Sequence, residues 1–159
     1  MKKGVIIFII ILAAILLTAL IVFIDDLRVV EKPLDQVVEI ANNKGGIDST
    51  FSPLAYSIER TESKITVTLY GNLEIIKTVH EFAITNGAIS SEDITIHFEK
   101  KLYAKKYFFD GSYNYIENQK LNGNVIYGNS SSSIGKNADT FVQELEQTYS
   151  SFLKKIILK

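Results

Sequence analysis

The chain has 159 residues, 47% of them hydrophobic, no cysteine and a formal net charge of −1. The absence of cysteine excludes disulfides, thiolate zinc sites, a cysteine nucleophile and an acylated lipoprotein anchor. With Lys2 and Lys3 set aside, 15 basic residues stand against 18 acidic ones, a balance that argues against a phosphate-neutralising nucleic-acid binder.

The first element is a run from Gly4 to Ile24 with no charge and a single hydroxyl, Thr18. At about 1.5 Å per residue it extends about 31 Å as a helix, close to the roughly 30 Å of bilayer hydrocarbon. Lys2 and Lys3 precede it, Asp25 and Asp26 follow it, and only Arg28 is basic near its far end. The positive-inside rule then puts the N-terminus in the cytoplasm and the rest of the chain outside. The rival reading is a cleaved signal peptide, whose apolar stretch is usually about 7–15 residues with small residues at the cut. This run is longer and closes on bulky Val22, Phe23 and Ile24, which favours an uncleaved anchor. Ala14 and Thr18 have the spacing of a helix-packing pair, but there is no glycine pair and chance explains the spacing.

Residues 25–32 form a short connector, and Pro33 prevents one helix from running through it. Leu34, Val37, Val38 and Ala41 then fall on one helical face, stopped by Gly45-Gly46. Two runs of period two follow. Leu54, Tyr56 and Ile58 alternate with small or polar residues, as do Ile65, Val67 and Leu69, which predicts a hairpin with one buried face. After Gly71-Asn72 the period changes. Ile75, Ile76, Val79, Phe82 and Ala83 predict a second helix, capped by Asn72 and ended by Asn86-Gly87. Ile94, Ile96 and Phe98 predict a third strand, with Thr95, His97 and Glu99 pointing outward.

The expected order over residues 33–100 is thus helix, strand, strand, helix, strand. Two helices would cover one face of the sheet and leave the other polar. In order of elements alone this is similar to the small ring-building and secretin-associated domains of secretion and sporulation machines. No motif accompanies that similarity, and no family is assigned on it.

Asp110-Gly111 and Asn122-Gly123 are strong hairpin-turn dipeptides, so residues 102–127 are expected to form a three-strand antiparallel meander. Phe108 would then oppose Tyr113, and Lys106 would oppose Tyr115. Residues 129–135 are expected to be a flexible loop, and residues 138–158 an amphipathic helix with Lys154 and Lys155 at its negative end. The expected class is therefore α+β, in three parts: residues 1–24 as cytoplasmic start and anchor, 25–32 as connector, and 33–159 as an extracytoplasmic domain.

Chemistry-bearing constellations are scarce. His80 and His97 are expected on polar faces, without the paired spacing of a metal site. Glu59/Glu62, Glu92/Asp93 and Glu144/Glu146 read as surface charge, with Glu92/Asp93 in a turn. Ser130 to Ser133 lack a nucleophile-elbow context. Asn129-Ser130-Ser131 matches a glycosylation pattern that is common by chance. Tyrosines of the expected meander, Tyr103, Tyr107, Tyr113, Tyr115 and Tyr127, could offer an aromatic partner surface, although aromatic residues are also good strand formers that fill cores.

No catalytic, cofactor or metal residue is assigned. The reading that follows is a single-pass protein bound to the lipid bilayer through Gly4 to Ile24. Its outer domain would meet a protein partner at the same membrane, within a cell-envelope assembly, and self-association is open. The alternatives are a ligand-binding or sensory domain, which needs an enclosed pocket, and an envelope hydrolase, which needs converging acid or histidine side chains.

Overall fold

A computed structural model describes residues 2–44, 53–71 and 73–157. Helix α1 (Lys2–Leu27) contains the whole apolar run and continues one turn beyond it, through Asp25 and Asp26. It is the one helix among the described residues long and apolar enough to cross a membrane, and its apolar window is not buried against the rest of the chain. Helix α2 (Asp35–Asn43) follows Pro33 as expected and buries Val37, Ile40 and Ala41; the expected stop at Gly45-Gly46 lies outside the described residues.

Strands β1 (Ala55–Arg60) and β2 (Lys64–Tyr70) form the expected hairpin. The next element departs from expectation. Residues Ile75–Thr85 are not a helix but strand β3, paired along its length with β2 and with β4 (Ala88–Phe98). The expected cap at Asn72 lies outside the described residues. Asn86-Gly87, read as a helix end, is the turn between β3 and β4. Both residues have positive φ, 53° and 76°, as a tight primed hairpin turn requires. Glu92 and Asp93 accordingly lie inside β4 rather than in a turn. With four successive strands after α2, the order of elements no longer matches that of the ring-building domains.

The expected three-strand meander is also replaced. Lys101–Phe109 is helix α3, and Asp110-Gly111 ends it: Asp110 N–H donates to the Lys106 carbonyl and Gly111 takes φ 71°. No Phe108–Tyr113 or Lys106–Tyr115 strand pairing forms. A hairpin does follow, β5 (Glu117–Asn122) and β6 (Val125–Ser130), with Gly123-Asn124 rather than Asn122-Gly123 as its two turn residues. The strand takes Asn129 and Ser130 out of the expected loop. Helix α4 (Ala138–Ser150) begins where expected, its first turn capped by the Asn137 side chain. It stops eight residues early. Lys154–Lys155 form β7, parallel to β1, instead of completing a helix.

The seven strands make one sheet in the order β5-β6-β4-β3-β2-β1-β7. Helices cover both faces rather than one. On the first face α3 packs on Ile94, Ile96, Phe98 and Ile126, while α4 sets Phe141 edge-on against Phe82, 4.9 Å between ring centres. On the second face α2 packs on Ala55 and Tyr70, joined by Ile156 from the C-terminal segment. Period-two alternation leaves the rest of that second face to Thr66, Glu81, Asp93 and Asn129, and to Val79, Thr95 and Tyr127.

Candidate functional site

The junction between α1 and the sheet holds a dense set of polar contacts. Asp25 accepts from Lys101 and Asp26 from Lys105, each at 2.5 Å, so the last turn of α1 is pinned to two successive turns of α3. The connector then runs onto the end of β4. Val30 N–H donates to the Glu99 carbonyl at 2.8 Å, and Val29 bridges Lys100. Glu31 crosses the second face of the sheet, where one carboxylate oxygen lies 2.9 Å from His97 Nδ1 and the other 2.9 Å from Lys77 Nζ. Burial would raise the Glu31 carboxyl, but the bonds from Lys77 and His97 outweigh it and hold it below the usual range. Leu34 and the connector close a shallow cleft of about 280 Å³ over Tyr70, Ile76 and Val79.

The turns near this junction share one end of the sheet. Glu99 N–H bonds the Glu74 carbonyl of the β2–β3 loop, and Phe98 N–H bonds the Asn124 carbonyl of the β5–β6 turn. The Asn86-Gly87 turn and the serine loop occupy the opposite end, where Gly135 N–H meets the Ile89 carbonyl. Strand β4 spans the two ends, so about ten residues of strand, or roughly 33 Å, separate them.

A second polar cluster sits on the first face. His80 Nδ1 is 3.1 Å from Glu92 Oε1, and Ser132 Oγ donates to Glu92 Oε2 at 3.2 Å. Glu92 is 5% exposed. Burial would raise its carboxyl, and the bonds from His80, Ser133 and Ser132 outweigh that and lower it. Tyr115 and Tyr149 stand near enough that burial first, and the Glu92 charge second, raise their phenols. His80 and Glu92 therefore meet, while Glu59 is exposed and His97, on β4, is bonded to Glu31 of the connector. A histidine held by a carboxylate is half of a general-base arrangement. Here the serine hydroxyl bonds the carboxylate instead of the imidazole, so no nucleophile is aligned with a base. Sequence reasoning separated His80 from Glu92 because it placed one on a helix and the other in a turn.

The five tyrosines do not share one face. Tyr107 is buried against Phe98, stacked at 5.4 Å, and Tyr113 meets both rings edge-on. Tyr103 packs on the same cluster. Tyr115 is largely exposed on that side, and Tyr127 opens on the opposite face beside Thr95. Among the described residues no group of three or more histidine or acidic side chains is placed to hold a metal ion. No family model matches the chain, and neither a curated protein nor a solved structure matches it.

Proposed function

We propose that α1 crosses the cell membrane once, with Lys2 and Lys3 on the cytoplasmic side, and that the sheet domain stands outside as a protein-contact component of a cell-envelope assembly rather than an enzyme. The observation that carries this reading is the strap between anchor and domain. Two ion pairs, a short β-bridge and the Glu31–His97–Lys77 cluster tie the sheet to the end of α1, which on this reading sets its height and rotation above the bilayer. An assembly component needs that fixed presentation; a hydrolase on a tether does not. The surface presented is the uncovered part of the second face, with Thr95 and Tyr127 side by side on adjacent strands and Val79 at the edge of the connector cleft.

The test uses a photo-crosslinking amino acid at Tyr127 in intact cells, with the same group at Phe109 on the other face as control. A discrete adduct from position 127 and none from 109 is expected. Equal adducts from both positions, or none from 127, would remove the reading. Because the chain lacks cysteine, Ser150→Cys with a membrane-impermeant maleimide checks sidedness independently.

A further inference from the structure

The junction contains a groove that the protein-contact reading does not use. It has a volume of about 510 Å³ and lies between the last turns of α1 and the β5–β6 turn. Its floor is Ile21, Val22 and Leu121, and its rim is Asp25, Asp26, Lys101 and Lys105. Ile21 lies four residues before Asp25, about 6 Å deeper along the helix axis. Going outward, the lining therefore changes from aliphatic to charged over the distance in which a lipid changes from acyl chain to phosphate.

We propose that this groove seats a glycerophospholipid of the outer leaflet, with its upper acyl and glycerol atoms on Ile21, Val22 and Leu121 and its phosphate at Lys101 and Lys105. The inference rests on α1 being a membrane span. If it is, Ile21 and Val22 lie at the outer edge of the hydrocarbon, and a groove they line opens to lipid rather than to water. The occupant then has to be amphiphilic. The lysines retain capacity for it: an ammonium carries three donors, and each of these gives one to an aspartate. Two aspartates and two lysines make the rim neutral, so it suits a phosphodiester without demanding an anionic headgroup. The β5–β6 turn thereby becomes a second foot on the membrane, beside the anchor.

The chain contains no tryptophan, so a single one reports its own surroundings. Full-length protein would be reconstituted into phosphatidylcholine vesicles containing brominated phosphatidylcholine, which quenches tryptophan on contact. Leu121→Trp reports the groove, with Asn122→Trp at the same turn as the substitute should the first fail to fold. Ile15→Trp reports the span, and Ile134→Trp the far end of the sheet. Quenching of the 15 and 121 reporters, several-fold stronger than that of the 134 reporter, is expected. Quenching at 15 with position 121 no more quenched than 134 overturns the groove and leaves the span standing. Absence of quenching at 15 overturns both. Equal quenching at 134 and 121 also overturns the groove, since the domain would then lie flat on the lipid.

Discussion

Glu31 Oε2 lies 2.9 Å from His97 Nδ1, across 66 residues of sequence, and this contact ties the connector to the sheet. Glu31 also holds Lys77, so one carboxylate in the connector bridges two adjacent strands. Glu31→Gln keeps the shape and removes the charge. Hydrogen bonds to charged groups contribute roughly 1.5–3 kcal/mol each in favourable settings, so a loss of about 2 kcal/mol is expected here. Denaturant melts of the full chain in detergent would measure it, and an unchanged midpoint would show that the strap adds nothing to stability.

The aspartate–lysine pairs give a second, separable test. Arg28 is exposed in the connector and open to trypsin, whereas Lys32 precedes Pro33 and resists it. Replacing Lys101 and Lys105 together by glutamine should free this stretch and raise the rate of cleavage at Arg28 several-fold. Water screens ion pairs at this exposed junction, so the global melting midpoint should move little while local cleavage changes clearly. Time courses of digestion, read by mass, separate the two effects.

How much of this was legible in the sequence varies with how many signals agree. Helix α1, the β1–β2 hairpin and the start of α4 each had pattern and length pointing the same way. Strand β3 did not. Both its faces are covered in part, by the connector on one side and α4 on the other, and a bulge near Ile76 shifts its phase. Its apolar residues therefore imitate a helical stripe. The signal that could have decided is β-branching: Ile75, Ile76, Thr78, Val79, Ile84 and Thr85 suit a strand. Helix α3 failed for the opposite reason. Its aromatics suggested strand, and a helix end and a hairpin turn make the same demand for a left-handed residue, which Gly111 meets in either case. The His80–Glu92 contact depends on the first of these corrections and not the second, because the β3–β4 pairing brings residues 80 and 92 together.

Glu92 makes the stability of the domain sensitive to acid. Its carboxyl is lowered from an ordinary 4.5 in the folded chain. A lowered carboxyl contributes stability in full above its unfolded value and loses it as pH falls through the folded value. Unfolding free energy should therefore decline as pH drops below about 4.5, and Glu92→Gln should flatten that decline. At neutral pH the same substitution should cost roughly 1–3 kcal/mol, because His80 and Ser132 lose a charged acceptor in a buried place. Urea midpoints of the two proteins across pH 3 to 7 (roughly the range in which carboxylates titrate) give both numbers. A parallel pair of curves would mean that Glu92 is not the group responsible.

The C-terminal segment offers the sharpest contrast between the expected long helix and the sheet. On a helix continued to residue 158, Ile156 would belong to the stripe beginning at Val142 and would pack with α4. In the fold it follows β7, its N–H bonds the Tyr56 carbonyl at 2.7 Å, and its side chain joins Val37, Ile40 and Tyr70 on the other face of the sheet. Ile156→Ala removes buried aliphatic volume and should cost about 2–5 kcal/mol. Ile157→Ala, one residue on at an exposed position, should change stability by no more than about 0.5 kcal/mol. Hydrogen exchange adds direction. Loss of Ile156 should speed exchange first in α2 and β1, its neighbours on that face and edge of the sheet, and leave α4 largely protected. The reverse order, α4 opening before α2, would mean that the terminal segment belongs to the helix after all.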